Sequence, residues 1–406
     1  MTDSCPFSIP AMQDEVVVKE LDDQFDAMRC AGSLAWSKFP YGTVNDGMGW
    51  VASGNKEVKA ILKDNRFSIA QQQYDDYPRA RVKEAGAPFP LSFITMDPPD
   101  HTERRRTLMK HLTPKRVESL RPFTREIVND CLDEIERIGH GADIIANLVQ
   151  KVPLYLLCEL LGAPREERGI YFDHAHMIVN SRHKTVEEAT HSFDTLKNYF
   201  AELCDRKRAQ PGADLISDLV HDVEVNGVWT KEELDGVGTV MLIAGHDSTS
   251  STIANILYWL VHNPDVFARL RSRPNEILNA TDEFLRLLPV GVPGTRTRIA
   301  LEDVQFGDTL VRRNESVLAV PHAANLDPEI FENPRTFDLD RSNSNKHIAF
   351  GFGIHFCPGS ILAKMDIEMV LRGVTERFDH LEPVSYDPDW EMKSRTRGPK
   401  SLPVKW

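Results

Sequence analysis

The helical pattern running from Thr230 to His262 limits what this chain can become. Thr230 with Glu233 fits a capping box at its start, and Asn263-Pro264 ends it. At ~1.5 Å per residue the helix is about 48 Å long, well beyond the usual globular helix. A helix this long and this apolar in its middle should cross the centre of the molecule, with everything else packed around it.

The other elements read as a mainly α fold with a small β region. Val117 to Ile138 places Val117, Leu120, Ile127, Val128, Cys131, Leu132 and Ile135 on one side of a helix. Pro153 to Leu161 is apolar all round, which predicts a buried helix stopped by Gly162-Ala163-Pro164. Short β-like runs cover Thr295 to Ile299, Val304 to Phe306, Thr309 to Val311 and Ser316 to Val320, with Gly307-Asp308 as a tight hairpin turn. No repeat or flexible linker divides the 406 residues. Most chains of this length split into two or more domains. One domain over residues 1–406 is expected if a large cofactor fills the middle.

The net charge of −13, from 61 acidic and 48 basic residues, argues against a nucleic-acid partner. No window approaches the ~18 uninterrupted apolar residues of a membrane helix, and the first residues lack the pattern of a signal peptide. Cytoplasmic localisation and a monomer are expected. The six cysteines (5, 30, 131, 158, 204, 357) form no C-x-x-C pair. Five read as small hydrophobes.

Cys357 reads differently. Phe350-Gly351-Phe352-Gly353-Ile354-His355-Phe356-Cys357-Pro358-Gly359 precedes an amphipathic helix, Ile361 to Phe378. Two glycines spaced by one aromatic permit a turn that Cβ atoms would obstruct. Pro358 suits a first helical turn. Cys357 should then lie at the positive end of that helix, with the Gly359 and Ser360 amides free to point at its sulfur, favouring thiolate. The pattern F-x-x-G-x-H-x-C-x-G-x-x-L-A is matched at Phe350, Gly353, His355, Cys357, Gly359, Leu362 and Ala363, seven fixed positions in fourteen. Here the chain resembles the cytochrome P-450 family.

Three further segments carry the resemblance in the same order. Ala244-Gly245-His246-Asp247-Ser248-Thr249, on the long helix, is similar to the family's oxygen-activating A-G-x-[DE]-T-[TS]. Ala244 and Gly245 leave a flat spot on the helix, Ser248 can reach the Ala244 carbonyl, and Asp247 can relay protons. Ser248 stands where the family most often has Thr, so Thr249 is a candidate to share its role. Glu283 and Arg286 match E-x-x-R, 74 residues before the cysteine, and the resemblance implies a structural pair steadying its loop. Thr336 stands where many members have a third, arginine partner; Arg335 and Arg341 are both nearby. Asp97-Pro98-Pro99-Asp100-His101 with Arg105 is similar to D-P-P-x-H-x-x-x-R. His101, Arg105, Arg298 and His355 are the expected partners of two haem propionates.

The resemblance implies a triangular prism with heme b (iron protoporphyrin IX) between the long helix and the cysteine-bearing helix. It implies a haem-thiolate monooxygenase, with Cys357 on the iron, using O2 on a small, largely hydrophobic substrate of secondary metabolism. The chain carries no dinucleotide fingerprint and no iron–sulfur spacing. Electrons should therefore come from a ferredoxin with its reductase, or a flavodoxin, docked near Lys110, Lys115, Arg116, Lys364 and Arg372. The segments Ser68 to Phe93 and Phe172 to Phe193 should cover the substrate, with Phe89, Phe93, Leu242, Ile243, Val292 and Gly294 lining its pocket. Tyr74, Tyr77, His174, His176 and His183 in those segments point to a partly polar substrate. Other readings are a peroxide-using or nitric oxide-reducing relative, a haem sensor without turnover, and a haem-free helical binding protein.

Overall fold

A computed structural model of the chain describes residues 18–38, 48–70, 92–179, 185–290, 297–386, 389–392 and 396–406. The long helix runs Lys231–Val261 and is hereafter the central helix. Its capping box forms: the Thr230 hydroxyl accepts from the Glu233 amide, and the Glu233 carboxylate accepts from the Thr230 amide. The helices Lys151–Leu161, Val186–Ala209 and Ser360–Arg377 pack against it. At Gly238 the missing side chain leaves the room that the Phe200 ring occupies.

The helix expected over Val117 to Ile138 is two helices, Pro114–Ser119 and Arg121–Ile138. Pro122 lies in the first turn of the second, where it cannot donate to the ladder of the first. Ile127, Val128, Cys131, Leu132 and Ile135 still form one buried face. The apolar helix runs Lys151–Leu161, buried over most of its length, and Gly162 ends it in the left-handed conformation at φ 74°. The cysteine helix runs Ser360–Arg377.

A five-stranded sheet stands apart from the main hydrophobic cluster. Its order is Ala35–Lys38, Met48–Ala52, Ser316–Ala319, Arg298–Ala300, Phe67–Ser68, with only Met48–Ala52 and Ser316–Ala319 parallel. The two N-terminal strands were not foreseen; they pair with each other, and Met48–Ala52 finds its second neighbour more than 260 residues downstream, which no local pattern encodes. Val304–Phe306 and Thr309–Val311 form the expected hairpin, with Gly307 at φ 56°. Near the C-terminus, Trp390–Met392 pairs with Arg397–Pro399. That second strand lies on the central helix: Asn255 donates to the Arg397 carbonyl, and a Cβ at Gly398 would come 3.5 Å from the Asn255 Oδ1.

Among the described residues no helix is long and apolar enough to cross a membrane. Cys131, Cys158 and Cys204 are buried, and burial pushes their thiols up to about 11, 12 and 12. Cys30 is exposed rather than buried, and Cys5 lies outside the described residues.

Candidate active site

The loop before the cysteine turns as its glycines allow. Gly351 has φ 77° and Gly353 φ 72°, both in the left-handed region. A Cβ at Gly353 would also fall 2.5 Å from the Leu62 carbonyl oxygen, so the loop presses directly on helix Asn55–Lys63. The Cys357 amide donates to the Phe350 carbonyl at 2.9 Å, closing the loop. Gly359 caps the cysteine helix, and a Cβ there would approach the Cys357 Sγ at 3.9 Å. One expectation is corrected: the Ser360 amide is turned to the carbonyl of Cys357 at 3.4 Å, the shorter-range partner in this tight first turn.

Basic side chains gather beside the loop. Arg105 donates to the Phe356 carbonyl at 2.6 Å, and the His101 and His355 rings lie 4.1 Å apart. Arg298 is buried and donates to the Phe67 carbonyl. His101 is 1% exposed, with neither ring nitrogen hydrogen-bonded among the described residues. Burial first, then the Arg105 charge, push its pKa down to about 4; Asp97 pulls the other way and Arg298 pushes again. Buried nitrogen atoms of this kind fit an anionic group, which supplies both the acceptor and the countercharge.

On the central helix, Ser248 donates to the Ala244 carbonyl at 3.0 Å. Ala244 is exposed in the middle of a helix that is otherwise largely buried, and Ser248 lies one turn away on the same side. Thr249 is buried, about 140° round the helix from Ala244, so it does not share that side. Gly245 is half-buried, and a Cβ there would come 3.1 Å from Leu157 Cδ1, so its smallness also lets the helix Lys151–Leu161 pack close. Leu242 departs from expectation. It is fully buried in the main cluster, about 200° round from Ala244, whereas Ile243 is half-buried.

Phe93 begins the short turn Phe93–Thr95 and, with Trp229, Val237 and Val240, lines a small pocket. Phe89, Val292, Gly294, Tyr74, Tyr77 and His183 lie outside the described residues, as does the side chain of His176.

Glu283 and Arg286 are fully buried and paired at 2.7 Å. Arg341 is the third partner, donating to Glu283 at 3.0 Å, while Arg335 binds Asp23 and Asp26 instead. Arg286 also donates to the carbonyls of Asn325, Pro334 and Thr336, tying down the chain that leads into the cysteine loop.

The family model for cytochrome P450 matches residues 147–405. Nocardicin C N-oxygenase from Nocardia uniformis subsp. tsuyamanensis is 35% identical over 100% of this chain and 99% of that protein. The chain belongs to the cytochrome P450 family. Mycinamicin IV hydroxylase/epoxidase from Micromonospora griseorubida is 32% identical, over 88% of this chain and 89% of its own. The solved cytochrome P450 hydroxylase of the leinamycin pathway of Streptomyces atroolivaceus S-140 superposes with a TM-score of 0.88, at 33% identity, covering 98% of this chain and 100% of that one.

As a cytochrome P450 the protein is a monooxygenase that uses haem, O2, an organic substrate and a redox partner. The family's fold is the one described above.

One contact in this cytochrome P450 escaped the sequence. The Thr396 hydroxyl donates to Asp247 Oδ2 at 2.6 Å, and both residues are buried. The two are 149 residues apart, and no spacing rule links a threonine just before a C-terminal strand to a helical aspartate. Only the packing of Arg397–Pro399 on the central helix brings them together.

Proposed function

We propose that Cys357, as thiolate, is the protein ligand of the haem iron, and that His101, Arg105, Arg298 and His355 hold its propionates. One arrangement carries this reading: a cysteine at the head of a buried helix, beside Arg105 and next to the close-packed rings of His101 and His355. The helix N-terminus and the guanidinium of Arg105 favour the negatively charged sulfur. When bound, the haem supplies the iron at which O2 is reduced and cleaved. Ala244 offers the central helix's flat face to it. Phe350 and Gly359 shape the cysteine side, and the Glu283-Arg286-Arg341 network holds that loop still. Asp247 and Ser248 move protons, Ser248 being oriented by its bond to the Ala244 carbonyl. The reduced, carbon monoxide-bound spectrum tests the ligand. Wild type is expected to give the thiolate band and Cys357→Ala to lose it; a variant that keeps the band overturns the assignment.

The substrate we propose is a secondary metabolite of mixed polarity, hydroxylated or epoxidised. Relatives named for mycinamicin, 6-deoxyerythronolide B and nocardicin C support that class. So does His174, whose ring lies 6.0 Å from that of His191 in the segment expected to cover the pocket. Titration with macrolides and with amino-acid-derived metabolites, read as a haem spin-state shift, is expected to find saturable binders; saturation only by simple hydrocarbons sinks the proposal. The whole chain acts as one domain, a reading supported by the pairing of Pro403–Lys405 with Ala142–Asp143 and of Met48–Ala52 with Ser316–Ala319.

The electron donor, a ferredoxin or flavodoxin, is proposed to dock on the cysteine side, on a surface revised from the sequence. Lys110, Arg116, Lys364 and Arg372 are each paired with a carboxylate of this chain, Asp222, Asp218, Asp282 and Glu368 respectively. Arg106 and Lys115 are exposed and have no ion pair among the described residues. Met109, Phe356 and Ile361 are exposed apolar residues of the same segments and complete a mixed apolar and basic surface.

A further inference from the structure

We propose that Thr396 and Ser251 form the route by which solvent protons reach Asp247, entering from a polar cleft behind the central helix. The inference rests on the reading of Asp247 as a proton carrier and adds where its protons come from.

Asp247 is 6% exposed, so its carboxylate needs a path through the protein. Asp247 and Ser251 lie one helical turn apart on the same side of the central helix, and Thr396 bridges them. Ser251 Oγ donates to Thr396 Oγ1 at 3.2 Å, and Thr396 Oγ1 donates to Asp247 Oδ2 at 2.6 Å. The donors all point one way, toward the carboxylate. At the other end, Ser251 lines a small surface cleft, bordered also by Gln150, Ser250, Gly398 and Lys400. The Ser250 hydroxyl, 3% exposed, has no hydrogen-bond partner among the described residues. A buried hydroxyl of that kind beside a small, partly polar cleft fits a single water. The strand that carries Gly398 packs beside the route: a Cβ there would make an ordinary contact, 3.8 Å, with the Ser251 carbonyl oxygen.

The transfer balances without any other reactant. A hydronium ion in the cleft gives a proton to Ser251 Oγ and leaves as water. Ser251 passes its own proton to Thr396, and Thr396 passes its own to Asp247. Each hydroxyl loses one O–H bond and gains one, the carboxylate becomes a carboxylic acid, and rotation of the two hydroxyls resets the chain. Thr396 touches neither the substrate nor the reacting atoms in this role; it positions Asp247 and feeds it.

The test uses the haem-loaded protein with its donor and compares Asp247→Asn, Thr396→Val, Thr396→Ser and Ser251→Ala. Thr396→Val keeps the shape and removes the hydroxyl. It and Ser251→Ala are expected to cut product formed per electron pair about tenfold, release the difference as peroxide, and raise the solvent deuterium isotope effect. Thr396→Ser should restore wild-type values. Independently of turnover, difference infrared spectra of the resting protein should show the Asp247 carboxylate band shifted by Thr396→Val and unshifted by Thr396→Ser. If Asp247→Asn alone changes coupling and isotope effect, with the hydroxyl variants like wild type, the route is wrong while the role of Asp247 stands. If Asp247→Asn changes neither, the underlying reading fails first.

Discussion

A methyl group added at Gly353 would meet two obstacles at once, a left-handed φ of 72° and the Leu62 carbonyl at 2.5 Å. Backbone cannot retreat as a flexible side chain can. Gly353→Ala is expected to cost about 3 kcal/mol, read from the denaturation midpoint, and to loosen haem retention in the same variant. Gly351, whose nearest contact would be 3.9 Å, carries only the conformational part of that penalty. The two glycines look alike in sequence. Their surroundings separate a turn residue from a contact residue. Ser248 and Thr249 divide in a similar way: adjacent hydroxyls, one beside Ala244 and one buried on another side of the helix.

Between elements, Asp282 joins helix Ile277–Leu287 to the cysteine helix by accepting from His347 and from Lys364. Burial raises its carboxyl, but His347 and Lys364 outweigh that and hold it below its ordinary value. The unfolded chain therefore binds the proton more readily than the folded one. The contribution is complete above the unfolded value near ~3.9 and is lost as pH falls through the lower folded value. Asp282→Asn should lower the denaturation midpoint at pH 7, and its difference from wild type should shrink below about pH 4. A difference that stays constant to low pH would mean that packing, not charge, joins the two helices.

Across the whole molecule, the −13 net charge opposes an acidic electron donor, so local cations must steer it. Charge reversal at Arg106 and Lys115 is expected to slow first-electron reduction about tenfold at low salt and to flatten its salt dependence. Reversal at Lys364, whose charge Asp282 already meets, should change reduction less than reversal at Lys115. Stopped-flow reduction at several ionic strengths reads both. Equal effects at all three positions would place docking elsewhere.

The sequence by itself determined the pieces whose causes are local. The capping box at Thr230, the glycine turns around the cysteine, the hairpin at Gly307 and the Ser248 bond to its own helix all follow from residues within a few positions of each other. Motif order was enough to recognise the family and to set Cys357 apart from five other cysteines. Tertiary structure alone decided which of Arg335 and Arg341 reaches Glu283, which glycine serves packing, which lysines and arginines are already neutralised, and that Thr396 meets Asp247. Those outcomes depend on groups tens to hundreds of residues apart being brought within about 3 Å, the range over which hydrogen bonds and close-packed atoms discriminate. Local pattern has no means of encoding such a distance before the chain has packed.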